Sequence, residues 1–263
     1  MAPRASARGG ARSDEATFPR LFRTGPAPPI PGGGAAISDD VLANLEVVRA
    51  GIARAADRAG RSTGDVILVA AAKTVPAAIV GRVVDAGVSA IGENYVGELR
   101  DVRAALADRQ VSWHFIGALQ SGTATAVADL ADVVETVAGG RAARRLAGRA
   151  ERAGRTIEVL LEVDLVGGRT GVAPGDLEAA AAEVASLEGL RLRGLMTLPP
   201  ATATGEAARP WFARLRELRD RLRETRPDVL ELSMGMSLDY EVAVEEGATM
   251  VRVGTALFGP RAP

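Results

Sequence analysis

The sequence predicts an α/β fold, a single (β/α)8 barrel of the TIM type with one helix ahead of it. Three observations carry that reading. Eight strand-sized apolar runs recur along the chain, and nearly every gap between them holds an amphipathic segment rich in Ala, Leu and Arg. The runs are continuous rather than alternating, which is the pattern of strands covered on both faces, as in parallel sheets. The length of 263 residues suits one barrel of about 250 residues. A doubly wound open sheet is the alternative, but eight units behind a leading helix favour closure.

Residues 1–37 hold five arginines (Arg4, Arg8, Arg12, Arg20 and Arg23) and the cluster GPAPPIPGGG. Such sequence cannot bury enough surface to fold alone, so a disordered N-terminal extension is expected there. Asp14, Glu15 and the prolines speak against a targeting peptide, and no apolar segment marks a secretory signal. The barrel is expected over 38–263. Ser38 is the expected N-cap of a helix that runs through VLANLEVVRAGIARAADRAG and stops at Gly60. Strands follow at 66–72 (VILVAAA), 88–93 (VSAIGE), 111–117 (VSWHFIG) and 131–137 (ADVVETV). Four more follow at 156–164 (TIEVLLEVD), 190–198 (LRLRGLMTL), 229–235 (VLELSMG) and 248–255 (ATMVRVGT).

Composition removes several classes of function. Hydrophobic residues make up 47% and charged residues 25%, as in ordinary globular proteins. The net charge of −1 offers no broad basic surface for nucleic acid. No apolar run is long enough to span a membrane as a helix. The absence of cysteine excludes disulfides, thiolate catalysis and cysteine-ligated metals, and the lone histidine, His114, excludes a multi-histidine metal site. His114 is expected to be a hydrogen-bonded barrel residue rather than a general base. The arginine-rich stretch 211–225 reads as a solvated helix face, with Glu217 four residues before Arg221.

In such barrels function collects at the C-terminal ends of the strands. There the sequence places Lys73, Glu93, Asn94, Asp164, Thr197, the stretch Ser233–Ser237, Arg252, Gly254 and Thr255. Lys73 stands out, because it is the only lysine and the other 31 of the 32 basic residues are arginines. Arginine can serve as a surface cation, but it stays protonated and cannot act as an amine nucleophile. A neutral lysine at an apolar strand end can attack an aldehyde and form a Schiff base. SMGMS (233–237) and VRVGT (251–255) supply glycines and hydroxyls suited to a phosphate. Ser233, Met234, Gly235, Gly254 and Thr255 are therefore the candidate phosphate cup. An amine facing such a cup suggests an aldehyde that carries a phosphate, with pyridoxal 5′-phosphate (PLP) the foremost candidate. Arg252, two residues before Gly254, would then point toward the pyridine nitrogen and weaken the ring as an electron sink. A rim salt bridge to Glu241, Glu245 or Glu246 is its simpler role.

With these residues in view, the chain from about Val66 to Gly259 resembles the YggS/PROSC family of PLP-homeostasis proteins. The resemblance is carried by AAAKTVP, IGENYVGEL, WHFIGALQS, LRGLMTLPP and LSMGMSLDYEVAVEEGATMVRVGTALFG. It implies a PLP barrel of the alanine-racemase N-terminal type, with PLP on Lys73 and Asn94 beside the ring. It also implies that Ser233, Gly254 and Thr255 hold the phosphate while Arg252 faces the pyridine nitrogen. Four positions depart from the family pattern. Val75 stands where a second lysine is usual, and Ala118, Gly122 and Thr123 replace a more polar patch after the third strand.

The expected function is PLP carriage or regulation inside the cell, in the cytoplasm, by a non-enzyme that is a monomer or weak dimer. Candidate partners are PLP, free amino acids and PLP-accepting apo-enzymes, with no nucleic acid and no membrane. A PLP-dependent amino-acid racemase is the alternative, and a phosphosugar enzyme without PLP is a distant third. Racemisation needs a second acid/base opposite the lysine. Only two tyrosines exist, Tyr95 and Tyr240, and the chain ends eight residues after Thr255, which leaves no C-terminal β-domain to carry one. Tyr95 is expected to pack on its own helix.

Overall fold

A computed structural model describes residues 40–260. The expected extension at 1–37 and the expected cap Ser38 lie outside these residues. Eight parallel strands close into a barrel in sequence order. They are β1 (Ile67–Ala71), β2 (Ala90–Glu93), β3 (Ser112–Phe115), β4 (Val133–Val137), β5 (Ile157–Glu162), β6 (Leu190–Met196), β7 (Glu231–Ser233) and β8 (Met250–Val253). Pairing of β1 with β8, Val69 opposite Arg252, seals the ring and rules out the open sheet. The helices are α1 (Val41–Arg58), α2 (Ala77–Asp85), α3 (Val96–Ala105), α4 (Ala124–Leu130), α5 (Gly140–Arg152), α6 (Leu177–Ala185), α7 (Arg209–Arg223), α8 (Tyr240–Glu245) and the short α9 (Thr255–Phe258).

All eight expected strands form, each inside its expected bounds and most of them trimmed at both ends. α1 begins at Val41 with Asp40 as its N-cap, whose carboxylate accepts from the Ala43 amide at 3.3 Å. This helix lies against the last units of the barrel. Gly51 makes that possible, since a Cβ there would sit 2.2 Å from the Tyr240 hydroxyl oxygen on α8. Arg54 and Arg58 of α1 pair with Glu241 and Glu245, while Arg209 and Arg216 of α7 reach Glu245 and Glu246. The three glutamates proposed for Arg252 are thus engaged by other arginines on the outer surface.

The main apolar core lies between the barrel and its helices, and includes Leu45, Leu146, Phe212 and Leu222. A second, smaller cluster of Val69, Ala90, Val133, Leu160, Met196 and Met250 plugs the barrel interior. Strand side chains alternate with a period of two. Two residues beyond Val133, Leu160 and Met250, on the same face, come Glu135, Glu162 and Arg252. The apolar plug therefore carries a polar layer directly above it, toward the C-terminal mouth. Two residues beyond Val69 and Ala90, by contrast, come the small residues Ala71 and Gly92.

The barrel wall also needs glycine where strands crowd. A Cβ on Gly194 of β6 would lie 2.1 Å from the Glu231 carbonyl oxygen of β7, a fixed backbone atom. Gly194→Ala is expected to destabilise the fold by roughly 1–3 kcal/mol through overpacking. A urea midpoint unchanged from wild type would contradict this.

Candidate cofactor site

Loops after β1, β2, β6, β7 and β8 enclose a cleft of about 650 Å3 at the C-terminal mouth, a size typical of small-molecule sites. Of the eight expected site residues, Lys73, Asn94, Arg252, Gly254 and Thr255 line it. Ser233, Met234 and Gly235 do not. Met234 is fully buried in the main core, and Gly235 (φ 93°) packs so tightly that a Cβ would sit 2.5 Å from Ala243 Cβ of α8. From the same segment it is Met236 and Ser237 that reach the cleft. Ser237 Oγ accepts from the Ala256 amide at 3.1 Å, which ties the loop after β7 to α9. Asp239 accepts from the Met236 amide at 2.6 Å and closes the same loop on itself.

Lys73 leaves β1 in a tight turn. The Val75 amide bonds to the Ala72 carbonyl at 2.8 Å, and Thr74, a β-branched residue, takes φ 62°. Such a conformation is uncommon and strained. The Thr74 amide donates to Glu98 of α3 at 3.3 Å, and the Lys73 ammonium lies 5.2 Å from the centre of the Tyr95 ring. Tyr95 is half exposed and serves Lys73 as a cation–π partner rather than packing on its own helix. Val75 is buried in the main core, an apolar environment in which a second lysine would be costly.

Below the cleft lies the polar layer, and here sequence reasoning missed the central residue. His114 Nδ1 stands 2.7 Å from Glu135 Oε1, and both residues are buried. The Ser233 hydroxyl bonds to the other oxygen of Glu135 and to Arg252 Nη1. Arg252 Nη2 donates to the Thr197 carbonyl at 3.0 Å. Pairing of β4 with β5 slips between Val134 and Val137, so the extra residue of a β-bulge falls at Glu135–Thr136; bulges re-aim side chains near functional sites. Burial opposes ionisation of Glu135. The His114 hydrogen bond and charge, Arg252 and Ser233 outweigh it and hold the carboxyl below its usual range. Arg252 is drawn downward by burial and supported by Glu135, Glu162 and Asp239. The signal for Glu135 was present in VVETV, an acid inside a strand that otherwise holds three valines and a threonine.

Among the described residues no helix is long and apolar enough to cross a membrane, and no cluster of His, Cys, Asp or Glu could hold a metal ion.

Comparison with known proteins matches residues 41–262 to the family of the alanine racemase N-terminal domain. A pyridoxal phosphate homeostasis protein of Pseudomonas aeruginosa is 43% identical over 223 residues, 84% of this chain and 96% of the relative. This chain belongs to the pyridoxal phosphate homeostasis protein family. The family member of Escherichia coli K12 is 38% identical over 232 residues, 85% of this chain and 97% of the relative. Among solved structures, PipY of Synechococcus elongatus PCC7942 with PLP bound superposes with a TM-score of 0.75 at 34% identity, covering 84% of this chain and all of PipY. Alanine racemase of Clostridium difficile 630, at 16% identity and TM-score 0.66, shares the fold over 57% of its length.

Glu162 supplies a pH-dependent test of the layer. Burial, with a contribution from Asp164, outweighs Arg252 and Arg169 and raises its pKa from 4.5 to about 7. The fold favours the neutral acid, so this stabilisation is complete below 4.5 and is lost as the pH rises through about 7. Glu162→Gln stays neutral throughout. It is expected to be more stable than wild type at about pH 8.5, with the gap closing toward about pH 5. A melting-temperature difference that does not change with pH would contradict the assignment.

Proposed function

We propose that this chain binds PLP in the cleft and serves PLP homeostasis as a carrier or regulator, with Lys73 as the point of covalent attachment. The observation that carries the reading is the position of the sole lysine: its amine enters a cleft lined by Arg252, Asn94, Ser237, Gly254 and Thr255. PLP, when bound, supplies an aldehyde that an amine can capture and a phosphate that hydrogen-bond donors can hold.

The residues present suit such a group. Lys73 offers the amine. Ser237, Gly254 and Thr255 line the same cleft with hydroxyl and backbone donors, and charge-assisted hydrogen bonds to phosphate contribute about 1.5–3 kcal/mol each. Arg252 rises from the barrel floor as a fixed cation, and Leu198, Pro199 and Pro200 close the apolar side. The Tyr95 face gives the Lys73 ammonium a resting position at the mouth when it is not engaged.

The lining favours retention over turnover. Among its described residues the ionisable side chains are Lys73, Asp239 and Arg252. Asp239 already accepts the Met236 amide, and Arg252 can only donate. The nearest phenol, Tyr95, meets the Lys73 ammonium through its ring face and is half exposed at the mouth, and a two-base racemisation needs its second acid or base on the far side of the substrate. We place this activity in the cytoplasm, with free amino acids or PLP-accepting apo-enzymes taking up the cofactor.

Adding PLP to the purified protein is expected to produce a visible absorption band, and borohydride to fix one pyridoxyl group per chain on Lys73. Lys73→Ala should abolish the band while keeping non-covalent affinity for PLP. A label found only on the N-terminal amine, or a band that survives in Lys73→Ala, would overturn the proposal.

A further inference from the structure

The polar layer under the cleft has a fixed proton order. Arg252 has donors only, and an ionised carboxylate has acceptors only. The Ser233 hydroxyl owns one proton and sits between them. Since Arg252 Nη1 donates to Ser233 Oγ, the serine proton must point to Glu135 Oε2. Glu135 Oε1 then accepts from His114, which places a proton on Nδ1 of that ring. Ser233 has no proton left for a phosphate, and it is fully buried below the cleft lining.

We propose that Glu135 is the positioning residue of the site, holding Arg252 through Ser233, and that Ser233 serves this relay instead of the phosphate. Arg252 is fixed from two sides, by Ser233 on β7 and by the Thr197 carbonyl after β6, while Glu135 stands 3.8 Å from its Nη1 as counter-charge. The bulge at Glu135–Thr136 turns the carboxylate inward. His114 occupies the second oxygen, so Glu135 cannot rotate away from the serine. Glu162 of β5 and Asp239 of the loop after β7 also act on Arg252, and Lys73, after the neighbouring strand β1, lines the same cleft. The Arg252 cation is thereby held at one height and one orientation beneath whatever ring lies over it. This inference rests on the PLP reading for its functional consequence and on the apo-protein for its geometry, so the two can fail separately.

The test compares wild type, Ser233→Ala, Ser233→Thr and Glu135→Gln. Affinities are measured for PLP and for pyridoxal, which lacks the phosphate, together with the pH profile of the visible band. Ser233→Ala is expected to keep the wild-type ratio of PLP to pyridoxal affinity within about twofold, because no phosphate bond is lost. Its pH profile should shift as Arg252 loosens. Ser233→Thr, which keeps the hydroxyl, should restore the profile. Glu135→Gln should shift the profile with the ratio intact. A fall in the ratio of about tenfold or more in Ser233→Ala, the value of one charge-assisted hydrogen bond, would overturn the proposal. In the apo-protein, nitrogen NMR of the only imidazole should show a proton on Nδ1 of His114, and its shift should move in Glu135→Gln. An unprotonated Nδ1 would overturn the relay whether or not PLP binds. Wild type that binds neither compound, with the expected Nδ1 proton present, would sink the PLP reading and leave the relay standing.

Discussion

A guanidinium buried in a barrel loses most of its hydration, and the burial of Arg252 constrains what is built around the mouth. A buried charge is tolerated when it is paired and its donors are filled, and removing one partner of such a pair costs about 3–5 kcal/mol. Here the partners come from different strands. Ser233 is on β7, Glu135 on β4, Glu162 on β5, and the Thr197 carbonyl follows β6. Only a closed barrel in the observed order brings these to one point. The cation is thus a condition on the topology as well as a feature of the site.

The β1–β2 side of the mouth follows a different logic. β1 and β2 present Ala71 and Gly92 at the height where other strands present charged side chains, so the space above them stays open. Into that space the chain sends its one side-chain amine, on a turn that sets Thr74 in a left-handed backbone held by Glu98. The other 31 of the 32 lysine and arginine residues are arginines. The one side-chain amine is placed at the cleft, while the guanidinium groups, which keep their protons, stand in the polar layer beneath it and on the surface.

Much of this was legible beforehand. Continuous apolar runs located all eight strands, and the isolated lysine pointed to a residue that lines the cleft. The strand ends ran too long, because hydrophobicity continues into loops that pack on the barrel: the expected 229–235 contains a strand of only Glu231–Ser233. Ser233 and Ser237 look equivalent in SMGMS, and the three irregular residues between them decide which is floor and which is lining. Glu135 was passed over although an acid within VVETV must either face solvent or be paired. Its partners lie 21 and 98 positions away along the chain, at His114 and Ser233, distances that no local pattern reports. The second role considered for Arg252, a rim salt bridge, failed for the same reason: Glu241, Glu245 and Glu246 are near in sequence but on the far side of the barrel wall.

The most direct measurement is a crystal structure of the protein grown with PLP. The account predicts density for the cofactor in this cleft, joined to Lys73 Nζ, with its phosphate toward Ser237, Gly254 and Thr255 and its ring over Arg252. Ser233 should remain hydrogen-bonded to Arg252 and Glu135. PLP bound at another surface, or lying in the cleft with Lys73 free and Ser233 turned onto the phosphate, would contradict it.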